Sequence, residues 1–212
     1  MEVSYLYIYE KLLDFYGSQE WWPADSDFEM MVGSILVQNT NWKNAEKALE
    51  HLHDHVQPEK LARLEEKELA EKIRPSGYYN MKAKKIKAFL DWFEKYDYQL
   101  SCLKLKEKLE IREELLMVYG IGKETADVIL LYAMDKPVFV VDNYARRIFF
   151  RLGYDLPKAY DRFREQVEAE LPVDITLYNE YHALLVEHGK KHCKATPICE
   201  GCPLLDVCAQ RF

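Results

Sequence analysis

The chain is poor in several features that would assign it to a common class. No apolar run approaches the ~18 residues that a membrane-spanning helix requires, so no membrane role is expected. The N-terminus, "MEVSYLYIYEKLLDFYG", lacks the basic region and apolar core of a secretory signal. The expectation is a cytoplasmic protein, nucleoid-associated in a prokaryote, in which thiols stay reduced. Basic charge is not in excess: 29 Lys and Arg stand against 36 Asp and Glu, for a net charge of −7. That excludes a non-specific nucleic-acid coat but not a local basic face. Lys82, Lys84, Lys85 and Lys87 form one such cluster, and Lys190, Lys191 and Lys194 another. Glycine is scarce, at 8 of 212 residues, and there are no internal repeats or low-complexity tracts. Strand patterning is nearly absent too. Only "KPVFVVD", Lys136 to Asp142, reads as β-like, and it could equally be buried extended chain.

What is present is helical periodicity. Phe28, Met31, Val32, Ile35 and Leu36 make one apolar stripe, and Trp42, Ala45, Leu49 and Leu52 another after the polar break "QNTN". Ala126, Ile129, Leu130 and Ala133 repeat the pattern, as do Phe163, Val167 and Leu171, then Tyr178, Tyr181, His182 and Leu185. The charged stretch "LKLKEKLEIREEL" reads as a solvated helix or linker. With 49% hydrophobic residues, an all-α chain of this length can bury one large core or two smaller ones.

Cysteine is scarce everywhere but at the end. Four of the five cysteines fall at C-x5-C-x2-C-x5-C: Cys193, Cys199, Cys202 and Cys208. A reducing compartment disfavours disulfides. A structural zinc site usually takes two close C-x2-4-C pairs, and only Cys199 and Cys202 form one. An iron–sulfur cube accepts single, unequally spaced thiolates, one on each iron, which suits this spacing better while leaving zinc open. Cys102 stands alone and reads as a small buried hydrophobe.

Two further features carry chemistry. "LLMVYGIGKETADVILLYA" joins two helical patterns through Gly120-Ile121-Gly122. The helix that follows presents amides without intrahelical partners, which suit a phosphate, although an ordinary helix–helix turn has the same pattern. Asp142 follows the apolar "PVFVV". It reads as a helix N-cap, as a functional carboxylate, or as both.

In their order along the chain, the Gly-x-Gly turn, "VVDNYARRIFFRLG" and "EHGKKHC" running into the cysteines, preceded by "ILVQNTNW" and "RPSGYYNMKAKKI", resemble the endonuclease III superfamily of helix-hairpin-helix DNA glycosylases. The resemblance covers nearly the whole chain. It implies an all-α, two-domain helix-hairpin-helix DNA glycosylase fold. A six-helix barrel would occupy residues 27–136, and a cluster-bearing domain would form from residues 1–26 and 137–212. The implied partner is double-stranded DNA with a damaged base, bound by a monomer across the interdomain cleft with the damaged nucleotide flipped out. Asp142 matches the catalytic aspartate. Gly120, Gly122, Lys123 and Thr125 match the phosphate-binding hairpin. Gln38 matches the residue that fills the gap left by the flipped base, and Tyr78 the wedge on the opposite strand, although a core tyrosine is the plainer reading. Cys193, Cys199, Cys202 and Cys208 match the ligands of a [4Fe–4S] cluster, with the first gap one residue shorter than in endonuclease III.

One departure bears on reaction type. Members that also cleave the backbone carry a lysine directly before the Thr-Ala of the hairpin, and here that position is Glu124. Lys123 lies about 100° round the helix and cannot simply replace it. The expectation is a monofunctional glycosylase. "EWWPADSDFEMMVGSILVQNTNW" further resembles the bacterial third-type 3-methyladenine DNA glycosylases, whose best-known members lack the cysteine cluster. That resemblance puts Trp21, Trp22, Pro23 and Trp42 in the base pocket, where an indole face would favour a cationic base. The alternatives are an endonuclease III-like or mismatch glycosylase, a non-catalytic helix-hairpin-helix DNA-binding protein, and a redox protein using the cluster.

Overall fold

Several helices begin where a short polar side chain can stand in for a missing intrahelical acceptor. Ser4, Ser26, Asn41, Asp142 and Asp174 each sit in extended backbone and accept a bond from the amide three residues on. The computed structural model describes residues 3–19 and 24–211, and among these there is no β-strand. The chain divides into two compact units, residues 22–136 and residues 1–21 with 137–212.

The unit of residues 22–136 contains α2 (Asp27–Leu36), α3 (Trp42–Leu52), α4 (Pro58–Arg63), α5 (Glu66–Lys72), α6 (Tyr79–Glu94), α7 (Leu100–Lys104), α8 (Lys108–Met117) and α9 (Lys123–Ala133). α2 packs against α9, α3 and α6. Its stripe is buried throughout, from Phe28 to Leu36. The charged stretch after residue 102 is more than a linker. It supplies the end of α7 and most of α8, and α8 buries Ile111 and Leu115. Arg112 of α8 reaches the fully buried Asp127 of α9, Nε to Oδ1 at 2.6 Å and Nη2 to Oδ2 at 3.2 Å. This two-pronged pair ties together the two helices of the hairpin.

The other unit holds α1 (Tyr5–Tyr16), α10 (Asn143–Leu152), α11 (Tyr160–Glu168) and α12 (Ile175–Lys191). α12 packs on α10 and α1. An aromatic core joins them: Tyr5 stacks on Tyr154 with centroids 4.6 Å apart and meets the edge of Phe149 at 4.9 Å. Tyr181 donates its hydroxyl to the Tyr5 carbonyl at 2.8 Å.

Val138 to Val141 is buried chain with no strand partner. A buried amide without an acceptor is costly, and side chains meet the need here. Phe139 N–H donates to Glu168 Oε1 at 2.8 Å, and Val141 N–H to the Tyr160 hydroxyl at 3.3 Å. The apolar run that resembled a strand is buried extended chain, the other reading the sequence left open, and it delivers the chain to Asp142.

Candidate active site and DNA interface

Asp142 stands at the N-terminus of α10, 8% exposed. Its Oδ1 accepts the Ala145 amide at 2.7 Å, so it does serve as the N-cap. The other oxygen, Oδ2, faces His182 Nε2 of α12 at 3.6 Å. One oxygen is thus committed to the helix and the second is held against a buried imidazole. The sequence had placed His182 only in an apolar stripe. Its role beside Asp142 arises from the packing of α12 on α10, which periodicity does not encode.

The hairpin between α8 and α9 turns at Gly120, whose φ of +84° suits glycine, and closes with Ile121 N–H donating to the Val118 carbonyl at 3.1 Å. Ile121 anchors the turn in the interior, 5% exposed. Gly122 is different. Its backbone is extended, and a Cβ added there would meet no atom of the described residues within 4 Å. Lys123 and Glu124 follow, exposed in the first turn of α9, with Thr125 buried behind them. Among the described residues, no side-chain cap bond closes this helix end.

Gln38 lies in the turn after α2 and is bonded to the hairpin. Its Nε2 donates to the Gly120 carbonyl and to Thr125 Oγ1, each at 3.0 Å, while its Oε1 accepts from Lys85 Nζ at 2.6 Å. Thr125 is therefore occupied by Gln38. Tyr78 is not a core tyrosine. It follows Gly77 with φ of +47° and is 73% exposed. Of the four residues matched to a base pocket, Trp21, Trp22 and Pro23 lie outside the described residues. Trp42 is half-buried at the start of α3, its indole against α2 at Gly33. A Cβ on Gly33 would come within 2.9 Å of the ring. Lys82, from the basic cluster, is only 2% exposed, and burial pushes its ammonium down to about 8, with Lys85 adding repulsion.

Among the described residues, no three His, Cys, Asp or Glu side chains are drawn together closely enough to hold a metal ion. Cys193, Cys199, Cys202 and Cys208 instead stand around one cavity of about 30 Å³, with Ile148, Leu152 and Leu204 among its apolar walls. Donors point at the sulfurs: Arg151 Nη1 lies 3.3 Å from Cys193 Sγ, and the Gln210 amide 3.4 Å from Cys208 Sγ. Burial pushes the thiols of Cys202 and Cys208 up, and the neighbouring cysteines push them further. Four cysteines lining one void, with a guanidinium directed at one sulfur and a backbone amide at another, are a donor set of the kind that a thiolate-bound cluster requires. α10 also secures this loop. Arg147 donates to the Cys193 carbonyl at 2.7 Å, and Arg151 to the carbonyls of Lys194 and Ala195 at 2.5 and 2.8 Å.

Residues 32–173 match a family model described as HhH-GPD superfamily base excision DNA repair protein. The chain is 47% identical over 209 residues to "Putative DNA repair glycosylase MJ1434" of Methanocaldococcus jannaschii, an overlap of 96% of this chain and 95% of that one. It is 31% identical over 184 residues to endonuclease III of Thermotoga maritima, covering 85% and 82% of the two chains. The solved structure of H. pylori 3-methyladenine DNA glycosylase, bound to 1,N6-ethenoadenine, is similar with a TM-score of 0.79 at 30% identity, over 89% of this chain and 98% of that one.

Proposed function

The chain belongs to the HhH-GPD superfamily of base excision DNA repair proteins, and from that membership we propose a monofunctional DNA glycosylase that hydrolyses the N-glycosidic bond of flipped, alkylated, cationic bases such as 3-methyladenine. The observation that carries the chemistry is Asp142: a carboxylate held at a helix start by one oxygen, with the other left facing a buried imidazole. A base bearing a positive charge leaves readily, so little protonation of the leaving group is needed. Asp142 would stabilise the sugar cation and orient the attacking water. Glu124, in place of a lysine, supplies no amine to form a Schiff base with the sugar, which supports hydrolysis without strand cleavage.

The protein would act as a monomer on double-stranded DNA. The open space at Gly122 and the uncapped first turn of α9 suit a backbone phosphate, with Lys123 beside it. Gln38 and Tyr78 would fill and wedge the opened duplex. Trp42 would offer a π-face to a cationic base, worth ~0.5–2 kcal/mol. The four cysteines would hold a [4Fe–4S] cluster that supplies a structural tie for the C-terminal loop.

The test is base release from methylated duplex DNA, with the released bases identified by chromatography. Charged 3-methyladenine should leave far faster than neutral hypoxanthine or thymine glycol, and borohydride should trap no covalent adduct on abasic DNA. Trp42→Ala should slow release of the cationic base by ~1–3 kcal/mol, and Trp42→Phe by less. Equal rates on charged and neutral lesions would remove the alkyl-base reading. The likeness to Thermotoga maritima endonuclease III favours a second reading, a glycosylase for oxidised or mispaired bases. A trapped adduct together with thymine glycol release would establish it.

A further inference from the structure

We propose that Lys82 and Lys85 of α6 are positioning residues that hold the Gln38 turn and the Tyr78 turn at a fixed spacing, so that the two turns meet the duplex as a pair. The proposal rests on the roles given to Gln38 and Tyr78 above.

Lys82 Nζ donates to the Leu36 carbonyl at 2.7 Å and to the Ser76 carbonyl at 2.6 Å. Leu36 lies two residues before Gln38, and Ser76 two residues before Tyr78. One ammonium therefore spans the roots of both turns. Lys82 is fixed to the second turn by its backbone as well, since its amide donates to the Tyr78 carbonyl at 3.0 Å. Tyr78 needs this support. Gly77 and Tyr78 both have positive φ, at 67° and 47°, a backbone state that a tyrosine adopts only when its surroundings impose it.

Lys85, one turn further along α6, does the same for Gln38. Its ammonium donates to Gln38 Oε1, which fixes which end of the amide faces the hairpin. The amide nitrogen is then directed at Gly120 and Thr125. The Lys85 stem lies so close over Gly120 that a Cβ there would fall 2.2 Å from Lys85 Cγ. A single helix face thus connects both wedging turns to the hairpin.

A buried ammonium is costly to desolvate, and a methionine of similar length would fill the same space without that cost. Stability is therefore a poor reason for a lysine at this position. Joining two carbonyls on separate turns is something only a multi-proton donor can do.

The experiment compares Lys82→Met and Lys85→Met with the parent on two duplexes. In one the damaged base is paired; in the other it lies opposite an abasic gap, where no pair has to be opened. Single-turnover base release is read on both, and 2-aminopurine fluorescence beside the lesion reports opening. The expected result is at least a ~10-fold loss of release on the paired duplex, a matching loss of fluorescence amplitude, and less than a ~3-fold loss on the gapped duplex. Equal losses on both duplexes, or none on either, would overturn the proposal. Should Lys82→Met fail to fold, Lys85→Met carries the same comparison, because Lys85 is only half-buried. The fluorescence needs no excision, so a protein that opens DNA but releases no base would count against the glycosylase reading and not against the lysines.

Discussion

Asp142 caps α10, and under the proposed function the same side chain has a second duty in catalysis, which substitutions can separate from the first. Asparagine caps a helix as well as aspartate does, so Asp142→Asn should leave thermal unfolding nearly unchanged while lowering base release by ~100-fold or more. Asp142→Ala should lose the cap as well, costing about 1 kcal/mol of stability. Unfolding scans beside single-turnover release and a gel-shift assay distinguish the two; near-normal turnover in Asp142→Asn would move catalysis elsewhere. Lys82 gives a pH signature. Its folded value of about 8 lies below the ordinary 10.5, so between those values the unfolded chain binds more protons than the folded one. Stability contributed through this group therefore rises with pH across that window. Denaturant melts from pH 7.5 to 10 should show a smaller rise, or a steeper fall, in Lys82→Met than in the parent. Identical slopes would mean the ammonium is not desolvated.

At the level of elements, the hairpin uses its two glycines for different reasons. Gly120 is required by backbone φ and by the Lys85 stem, and Gly120→Ala should destabilise the fold by ~1–3 kcal/mol. Among the described residues nothing requires Gly122, since the space beside it is open. Gly122→Ala should fold normally yet bind duplex DNA about 10-fold more weakly, as a phosphate loses its close approach. Paired melting and binding measurements check this, and unchanged affinity in Gly122→Ala would rule out the phosphate assignment. The Arg112–Asp127 pair that joins α8 to α9 is buried on both sides. Asp127→Asn should cost ~3–5 kcal/mol by stranding the guanidinium, with Arg112→Met/Asp127→Leu recovering much of that loss.

At the level of the whole molecule, α10 joins Asp142 to the cysteine loop. Its first residue after Asp142 starts the helix, and its later arginines clasp the cysteine loop. On the proposed cluster assignment the parent should be yellow-brown, and Cys199→Ser should bleach it, abolish the broad absorbance near ~400 nm, and lower soluble yield. Iron and zinc analysis of the parent decides the cofactor: a colourless protein with one zinc and no iron would end the iron–sulfur assignment. Since the arginines hold backbone carbonyls of the same loop, loss of the cluster should also loosen the C-terminal half of α10, read as faster amide exchange there.

The sequence alone determined what depends on local pattern. Apolar residues at helical spacing marked α2, α3, α9 and α12, because burying one helix face demands that spacing. Residue types at fixed separations marked the hairpin, Asp142 and the cysteine set. Glu124 could be read directly because it is a substitution within a motif. Tertiary structure decided everything that joins distant parts of the chain. His182 faces Asp142, Arg112 meets Asp127, Lys82 spans two turns, and Gln38 is bonded to Thr125, all across separations for which neither periodicity nor spacing offers a signal. The same holds where patterns were ambiguous. The apolar run "PVFVV" marked burial on all sides, with Glu168 and Tyr160 taking the place of a strand partner. Tyr78 turned outward because positive φ at two successive residues aimed it there. A side chain's identity is local, but what it faces is set by how helices pack, and packing is a property of the whole fold.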